Sequence, residues 1–392
     1  MDVNQLDRNQ LQWLPAFRDL SDEQTRAITE SLEGCSLIYG PAGSGKTAVT
    51  VYRAKTLLDQ GKSFQVFLFT QVLLRFISTA AKALDFPTGR VESFYKWVWQ
   101  THKELIGTPP GNGGEEKFSA SVDALIQYFQ AHPENKPKYE YILIDEGQDF
   151  KLNVSQLLHM LSDNIFVAGD TSQSLYVDIT DWHQLSEWWK AEQSSILIKN
   201  YRNPKTVANI AAVFLNASPI EQVQFLESVQ DRPSEAKPVW YQVDSAEEQT
   251  QKIKALVDQA RGATRIGILF KEWEQLEREK SRLEAQGVAL QVAYSNTHQR
   301  RASYDFENTS APILTTIHSA KGLEFDWVIL PDLTTEVWDK TTNDSQQRRL
   351  FFVALTRAKS NLYLISQKEQ ECMYLKEIPS DLLQAASEDS PF

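Results

Sequence analysis

Short apolar runs alternate with longer amphipathic stretches along most of the chain. The apolar runs predict these strands: Cys35–Tyr39, Phe64–Phe69, Tyr141–Ile144, Ile165–Ala168, Ile196–Ile198, Val239–Val243, Ile266–Phe270, Ile313–Thr316, Trp327–Leu330 and Asn361–Ile365. Helical spacing lies between them, for example in Ala246–Ala260 and in Glu272–Gln286, which Gly287 follows as it follows many helix ends. Strands that alternate with helices in this way predict an α/β fold with two mainly parallel sheets flanked by helices.

The first apolar run leads into a glycine-rich loop, Gly40-Pro41-Ala42-Gly43-Ser44-Gly45-Lys46-Thr47. The glycines let the backbone curl round phosphate oxygens, and the helix predicted over Ala48–Leu58 adds its N-terminal amides to the same anionic site. Lys46 supplies a point charge for the β and γ phosphates, and the Thr47 hydroxyl is suited to bind Mg²⁺. The loop therefore predicts binding of a nucleoside triphosphate with Mg²⁺. The alternative, a plain glycine-rich turn, is disfavoured by the intact Gly-Lys-Thr sequence.

Two further strands end in acidic or amide side chains. Asp145 and Glu146 follow Tyr141–Ile144, and a polar loop that contains Gln173 follows Ile165–Ala168. At these strand ends, Asp145 is predicted to hold the metal that bridges the phosphates, Glu146 to polarise the attacking water, and Gln173 to sense the γ-phosphate or that water. Acidic turns and polar loops of this kind are common without a catalytic role. Because these residues follow a phosphate-binding loop in the chain, they predict hydrolysis of the nucleotide as well as its binding.

Length and charge narrow the class of protein. A chain of 392 residues that is 42% hydrophobic can bury two cores of roughly 150 to 200 residues each, which predicts two domains. The formal net charge of -12 disfavours coating of nucleic acid by bulk positive charge but leaves room for a local basic track.

The cysteines and the apolar runs bear on the compartment. Cys35 and Cys372 show neither disulfide nor metal-ligand spacing, so they fit a reducing, cytoplasmic compartment. The chain starts without a secretory signal pattern, and no run of about 18 apolar residues occurs, so no membrane partner is expected.

The order of these motifs resembles that of the superfamily 1 helicases, in particular the UvrD, Rep and PcrA branch. Gln24 is similar to the family residue that reads adenine, and the loops at Gly43, Asp145 and Gln173 resemble motifs I, II and III. The resemblance implies ATP as the nucleotide and two tandem RecA-like P-loop NTPase domains. It covers nearly the whole chain.

Three segments of the second half extend the resemblance. Lys199–Asn203 is similar to motif IV, Thr316–Phe325 to motif V and Gln347–Lys359 to motif VI. By that resemblance, Arg202 and Arg357 reach from the second domain to the γ-phosphate bound by the first. A guanidinium placed there stabilises transition-state charge worth about 10³ to 10⁵ in rate. Taken alone, each arginine would be read as one half of a surface ion pair.

Two more residues of these segments are expected at the nucleotide. Tyr201 offers a ring on which adenine can stack, with ordinary packing as the alternative reading. Glu324 resembles the family carboxylate that contacts the nucleotide from the second domain.

Fewer residues carry the resemblance in the segments that are expected to bind nucleic acid. The segments that stand in place of motifs Ia, Ib and V supply hydroxyls and rings that suit phosphate binding and base stacking on a single strand, namely Thr70, Ser93, Phe94, Thr316 and His318. Three positions depart from the family pattern. Glu92 replaces a histidine, Ala48 replaces an arginine beside adenine, and Leu175–Thr180 lacks the arginine that follows motif III.

Domain boundaries follow from the motif order. Residues 1–195 are predicted to form the ATP-binding domain with a shortened insertion at about 95–140, and residues 196–392 to form the second domain with its insertion nearly absent. The predicted function is an ATP-dependent translocase or helicase on single-stranded DNA, with 3′ to 5′ polarity implied by the branch. The residues leave a preference for DNA over RNA open.

Two alternatives belong to other classes of function. A regulatory or sensor NTPase subunit, working beside a nuclease or repair factor in DNA repair or phage defence, fits the acidic charge and the missing insertions. A nucleotide-binding scaffold without turnover is less favoured, because both arginines and the acidic residues are present.

Overall fold

The computed structural model describes residues 14–68, 74, 77–78, 80–82, 84–87, 89–107, 115–170, 182–215, 217–231, 236–260, 264–293, 308, 311–339 and 344–385. The chain divides into two compact units, Met1–Ile198 and Lys199–Phe392. Each has its own sheet and core. The predicted boundary after residue 195 falls inside a strand of the first unit, Gln193–Ile196.

The first unit is built on a parallel sheet. Its described strands are β1 (Cys35–Tyr39), β2 (Phe64–Leu68), β3 (Val91–Ser93), β4 (Tyr141–Ile144), β5 (Ile165–Gly169) and β6 (Gln193–Ile196). They lie in the order β3-β2-β4-β5-β1-β6, and every described pairing is parallel. The described helices are α1 (Asp22–Thr29), α2 (Lys46–Asp59), α3 (Phe94–Leu105), α4 (Glu115–Ala131), α5 (Leu152–Leu161) and α6 (Trp182–Trp189). Because parallel strands place their carboxyl ends at one edge, the loops after β1, β4 and β5 meet there.

The second unit repeats this plan. Its described strands are β7 (Val239–Val243), β8 (Ile266–Phe270), β9 (Gln291–Ala293), β10 (Ile313–Thr316), β11 (Phe325–Leu330), β12 (Ala358–Gln367) and β13 (Gln384–Ala385). Their order is β13-β7-β12-β11-β8-β10-β9, again with every described pairing parallel. The described helices are α7 (Lys205–Phe214), α8 (Pro219–Ser228), α9 (Ala246–Ala260), α10 (Trp273–Ala285), α11 (Thr335–Trp338), α12 (Asp344–Leu355) and α13 (Met373–Glu377).

The buried strands explain why the sequence forms these sheets. β2, β4, β5 and β8 are buried at every position, as strands covered on both faces are, and apart from Gln65 in β2 they read as continuous apolar runs. Helix α10 ends before Gly287, whose φ of 78° suits a residue without a Cβ. The α/β prediction is confirmed, in the form expected of two RecA-like domains.

The sheet edges differ from prediction. β6 spans Gln193–Ile196, whereas the predicted strand was Ile196–Ile198. Ile196 and Ile198 are instead 47% and 58% exposed. The edge strands β3, β9 and β13 were not predicted, because two or three residues carry too little periodicity to signal a strand. Within the described part of the chain, no helix is both long enough and apolar enough to span a bilayer.

Candidate functional site

The loop between β1 and α2 has the geometry of a phosphate cradle. Gly43 and Gly45 have φ values of 78° and 87°, a backbone region that other residues rarely adopt. A Cβ on Gly40 would lie 2.6 Å from the Ser44 hydroxyl and 2.7 Å from the Leu197 carbonyl oxygen. The loop therefore needs glycine at these positions in order to curve onto the N-terminus of α2, where an anion is favoured.

Lys46 holds its ammonium at the inner edge of this loop. The Lys46 Nζ donates to the carbonyl oxygens of Gly40 at 2.7 Å and Pro41 at 3.0 Å, and it lies 3.5 Å from the Asp170 carboxylate. The lysine side chain is 7% exposed and that of Asp170 1% exposed, so the charge is held in one place. Asp170 was missed from the sequence, although it directly follows β5, which is paired with β1.

Thr47 and Asp145 form the pair expected to hold Mg²⁺. The Thr47 Oγ1 donates to the Asp145 Oδ2 at 2.6 Å, which joins the start of α2 to the end of β4. Burial, and after it the charge of Glu146, raises the pKa of Asp145. A buried carboxylate beside a hydroxyl is a hard oxygen donor set of the kind Mg²⁺ takes in phosphate sites, so these residues fit the ion.

Glu146 is held in an unusual backbone conformation. Its φ of 59° and ψ of 43° lie in the left-handed region, which is uncommon for a residue with a Cβ and is concentrated at functional sites. Its carboxylate accepts from the Gln148 Nε2 at 2.6 Å. The Gln148 Oε1 in turn accepts from the backbone N–H of Asp170 at 2.9 Å.

Gln148 was also missed by the sequence reasoning. It is fully buried and links the acidic loop after β4 to the loop after β5 through one side-chain amide. Its position two residues after Glu146 could have indicated a role at the site, because there a polar side chain follows a glycine in an otherwise acidic segment.

Gln24 lies against the phosphate loop. Its Nε2 donates to the Ser44 carbonyl oxygen at 2.9 Å, and its Oε1 accepts from the Ser21 backbone N–H at 2.9 Å as part of the capping box that begins α1. The predicted adenine reader is thus in contact with the predicted phosphate loop. The Ser44 hydroxyl oxygen is buried and has no hydrogen-bond partner among the described residues, which is a further mark of a ligand site.

Within the second unit, the predicted nucleotide residues of motifs IV and V meet. The Arg202 Nε donates to the Glu324 carboxylate at 3.0 Å, and the Lys359 Nζ lies 3.4 Å from the other carboxylate oxygen. Tyr201 is half-buried beside them in the chain. The group concentrates positive charge around one acidic side chain.

Arg357 lies in the same unit and is anchored to main-chain carbonyls. Its side chain donates to the carbonyl oxygens of Val353 at 3.0 Å and Leu323 at 3.2 Å, and the residue is 1% exposed. Because Leu323 precedes Glu324, this contact ties motif VI to motif V. The structure thus brings Arg202, Glu324 and Arg357 into one local arrangement of the second unit.

Two of the residues predicted to bind nucleic acid, Ser93 and Phe94, are buried in the first unit. Phe94 is fully buried in the first core, with its ring 5.3 Å from that of Phe67 and 5.4 Å from that of Phe150. Its predicted role in base stacking is wrong, because no face of the ring reaches the surface. Ser93 is buried as well, and its hydroxyl has no hydrogen-bond partner among the described residues, so its phosphate contact stays a prediction.

Thr316 and His318 remain half-buried in motif V. The Thr316 hydroxyl bonds the Ser319 hydroxyl at 3.0 Å. Burial, and after it the charges of Lys321 and Lys271, lowers the pKa of His318, so that its imidazole is neutral at pH 7. Gln173 and Thr70 lie outside the described residues.

Two family models match the chain. Residues 24–178 match a model described as an AAA domain, and residues 269–369 match the UvrD-like helicase C-terminal domain. These segments contain the phosphate loop and the motif V and VI residues.

Curated relatives are DNA helicases by name. A probable DNA helicase of Mycoplasma pneumoniae is 28% identical over 241 residues, which cover 58% of this chain and 43% of the relative. The ATP-dependent DNA helicase srs2 of Schizosaccharomyces pombe is 29% identical over 37% of this chain and 15% of the relative. PcrA of Bacillus subtilis is 35% identical over 19% of this chain and 12% of the relative. The chain thus spans less than half the length of these relatives.

A solved structure is also similar. The C-terminal domain of a possible DNA helicase from Lactobacillus plantarum aligns with 48% of this chain and 99% of its own, at 21% identity and a TM-score of 0.34. The two family models and the curated relatives make this chain homologous to superfamily 1 DNA helicases of the UvrD and PcrA type.

Proposed function

We propose that this chain hydrolyses ATP with Mg²⁺ in order to move along single-stranded DNA, as a translocase or helicase with 3′ to 5′ polarity. The observation that carries the proposal is the joined set of groups at the carboxyl edge of the first sheet. There the phosphate loop, Lys46, the Thr47–Asp145 pair and Glu146 are held together by short contacts. Binding alone needs the loop, whereas the carboxylates suit hydrolysis.

Each side chain has a task in that reaction. Lys46 holds the β and γ phosphates, and Glu146 accepts a proton from the water that attacks the γ-phosphorus. The bond from that phosphorus to the bridging oxygen breaks, and ADP and phosphate leave. Thr47 and Asp145 would hold Mg²⁺, which would neutralise phosphate charge. Arg202 and Arg357 stabilise the transferring phosphoryl group, and Gln173 senses it.

Adenine and the nucleic acid are assigned to other residues. Gln24 and Tyr201 contact the base, and Glu324 contacts the nucleotide from the second unit. Thr70, Thr316 and His318 contact the single strand. In that contact the neutral imidazole of His318 acts as a hydrogen-bonding or stacking group. The helicase names of the relatives support DNA as the partner, with RNA left open.

A titration of ATPase activity tests the proposal. Initial rates are measured against single-stranded DNA, duplex DNA and RNA at one fixed salt concentration, since nucleic-acid affinity depends strongly on salt. We expect turnover that single-stranded DNA stimulates and that Lys46→Ala and Glu146→Gln abolish. Unchanged turnover in Glu146→Gln would overturn the assignment of the base.

A partner-dependent regulatory or sensor NTPase remains the second candidate. The burial of Ser93 and Phe94 favours it, since both lie where a strand contact was expected. Glu92 also places a carboxylate at this position, where it accepts from the Gln65 Nε2 at 3.2 Å. Strand displacement on a 3′-tailed duplex separates the two functions. DNA-stimulated hydrolysis without displacement would favour the partner-dependent form.

A further inference from the structure

A pair of buried asparagines links the two arginine segments inside the second unit. The Asn203 Nδ2 donates to the carbonyl oxygen of Thr356 at 3.0 Å and to that of Ala358 at 2.8 Å. Those two residues flank Arg357 in the chain. One side chain therefore holds the main chain on both sides of that arginine.

Asn200 completes the link toward the other arginine. Its Nδ2 donates to the Asn203 Oδ1 at 3.0 Å. Its own Oδ1 accepts from the backbone N–H groups of Arg202 at 3.0 Å and Asn203 at 3.1 Å. The main chain of Arg202 is thereby tied to the same amide pair that holds the neighbours of Arg357.

Burial makes this pair rigid. Both asparagines are 0% exposed, so water does not compete for their hydrogen bonds. Fully paired buried amides fix a single arrangement, and loss of one partner leaves a desolvated carbonyl or N–H group. The Arg357 carbonyl oxygen also accepts from the Phe325 N–H at 3.0 Å, which adds motif V to the same fixed region.

We propose that Asn203 and Asn200 are positioning residues that set the direction of the Arg202 and Arg357 guanidinium groups for ATP hydrolysis. The inference rests on the proposed role of these arginines in turnover. A hydrogen bond that only stabilised the fold could lie anywhere in the second unit. These bonds instead fall on the residues adjacent to both arginines.

The test uses Asn203→Ala and Asn200→Ala in the full chain. We expect kcat for ATP hydrolysis with single-stranded DNA to fall roughly 10- to 100-fold, because a displacement of about 1 Å can cost 10²-fold. We expect the affinity for a fluorescent ATP analogue to be unchanged, and one analogue to bind per chain, because the phosphate loop is not altered. If one variant fails to fold, the other gives the same readout.

Gln291 provides a matched control in the same unit. Its Nε2 donates to the carbonyl oxygens of Asn308 at 2.8 Å and Ala311 at 3.1 Å, and it is 6% exposed. Gln291→Ala thus removes another buried amide bridge, on strand β9 and not on the residues beside the arginines. We expect it to lower the melting temperature while leaving kcat unchanged.

A double-mutant cycle separates positioning from general destabilisation. In an Arg357→Ala background, Asn203→Ala should cause a smaller further loss of kcat than in the wild-type chain, because the arginine whose neighbours it holds directly is gone. Full additivity, or wild-type kcat in Asn203→Ala and Asn200→Ala, would overturn the inference while leaving the proposed function standing. Absence of ATP hydrolysis in the wild-type chain would instead remove the proposed function and this inference with it.

Discussion

At the proposed ATP site, a single side chain can contact two partners at once. Gln148 donates to the Glu146 carboxylate and accepts from the Asp170 N–H, and Asp170 lies 3.5 Å from the Lys46 ammonium. The proposed base and the phosphate-binding lysine are therefore connected through two buried residues. These contacts hold the Glu146 carboxylate against the loop that follows β5.

Replacement of Gln148 should affect turnover more than binding. In Gln148→Leu the Glu146 carboxylate loses its donor, so we expect kcat to fall roughly 10- to 100-fold with ATP affinity retained. Gln65→Leu is the control, because Gln65 is also buried and also donates to a carboxylate, that of Glu92. Equal loss in both variants, measured as basal ATPase rates, would contradict the role of Gln148.

The two cysteines allow a test of the folded cores. Burial, and after it the charge of Glu192, raises the pKa of Cys35 to about 12. Burial also raises the pKa of Cys372 to about 11. Because the thiolate is the reactive form, the folded protein should react slowly with a disulfide reagent at pH 8, and both thiols should react after unfolding. Rapid labelling of the folded chain would show that these cores are open.

At the scale of elements, helix α1 joins Gln24, the proposed adenine reader, to the phosphate loop. It begins with the Ser21–Gln24 capping box. At its other end the Arg53 guanidinium of α2 donates to the carbonyl oxygens of Ala27 at 2.7 Å and Ser31 at 2.8 Å. The same guanidinium lies 4.5 Å from the centre of the Phe166 ring. Gln24 is therefore presented by a helix that is fixed at both ends.

The cap of α1 should matter for ATP as well as for stability. Ser21→Ala removes the hydroxyl that accepts from the Gln24 N–H, so we expect a loss of about 1 kcal/mol in unfolding free energy and a raised KM for ATP. Ser218→Ala removes an equivalent capping box from α8 in the second unit. It should cost similar stability in urea unfolding and leave KM unchanged. A raised KM in both variants would contradict the link between α1 and ATP.

At the scale of the whole molecule, the sequence predicted the interior strands and missed the edges. β4 and β8 match their predicted bounds because strands buried on both faces must be apolar throughout. β3 and β13 are short, and β6 is largely polar and exposed, so none carries a period that a single sequence reveals.

The sequence likewise predicted one part of the candidate site and missed another. The phosphate loop and Asp145 were predictable, because the chemistry dictates residue types at fixed spacing. Gln148 and Asn203 were not predictable, because their value depends on contacts between loops distant in the chain. Phe94 was misassigned for a related reason, since an aromatic at a family position can equally fill a core.

The proposed function requires that residues of both units act on one ATP. The most direct measurement is single-stranded-DNA-stimulated ATP hydrolysis by purified Arg357→Ala beside the wild-type chain, with ATP binding measured on the same samples. We expect ATP binding to persist and kcat to fall by about 10³-fold or more, as loss of an arginine at a transferring phosphoryl group does. Wild-type kcat in Arg357→Ala would contradict the proposed role of Arg357, because this guanidinium of the second unit would then contribute no charge to the reaction.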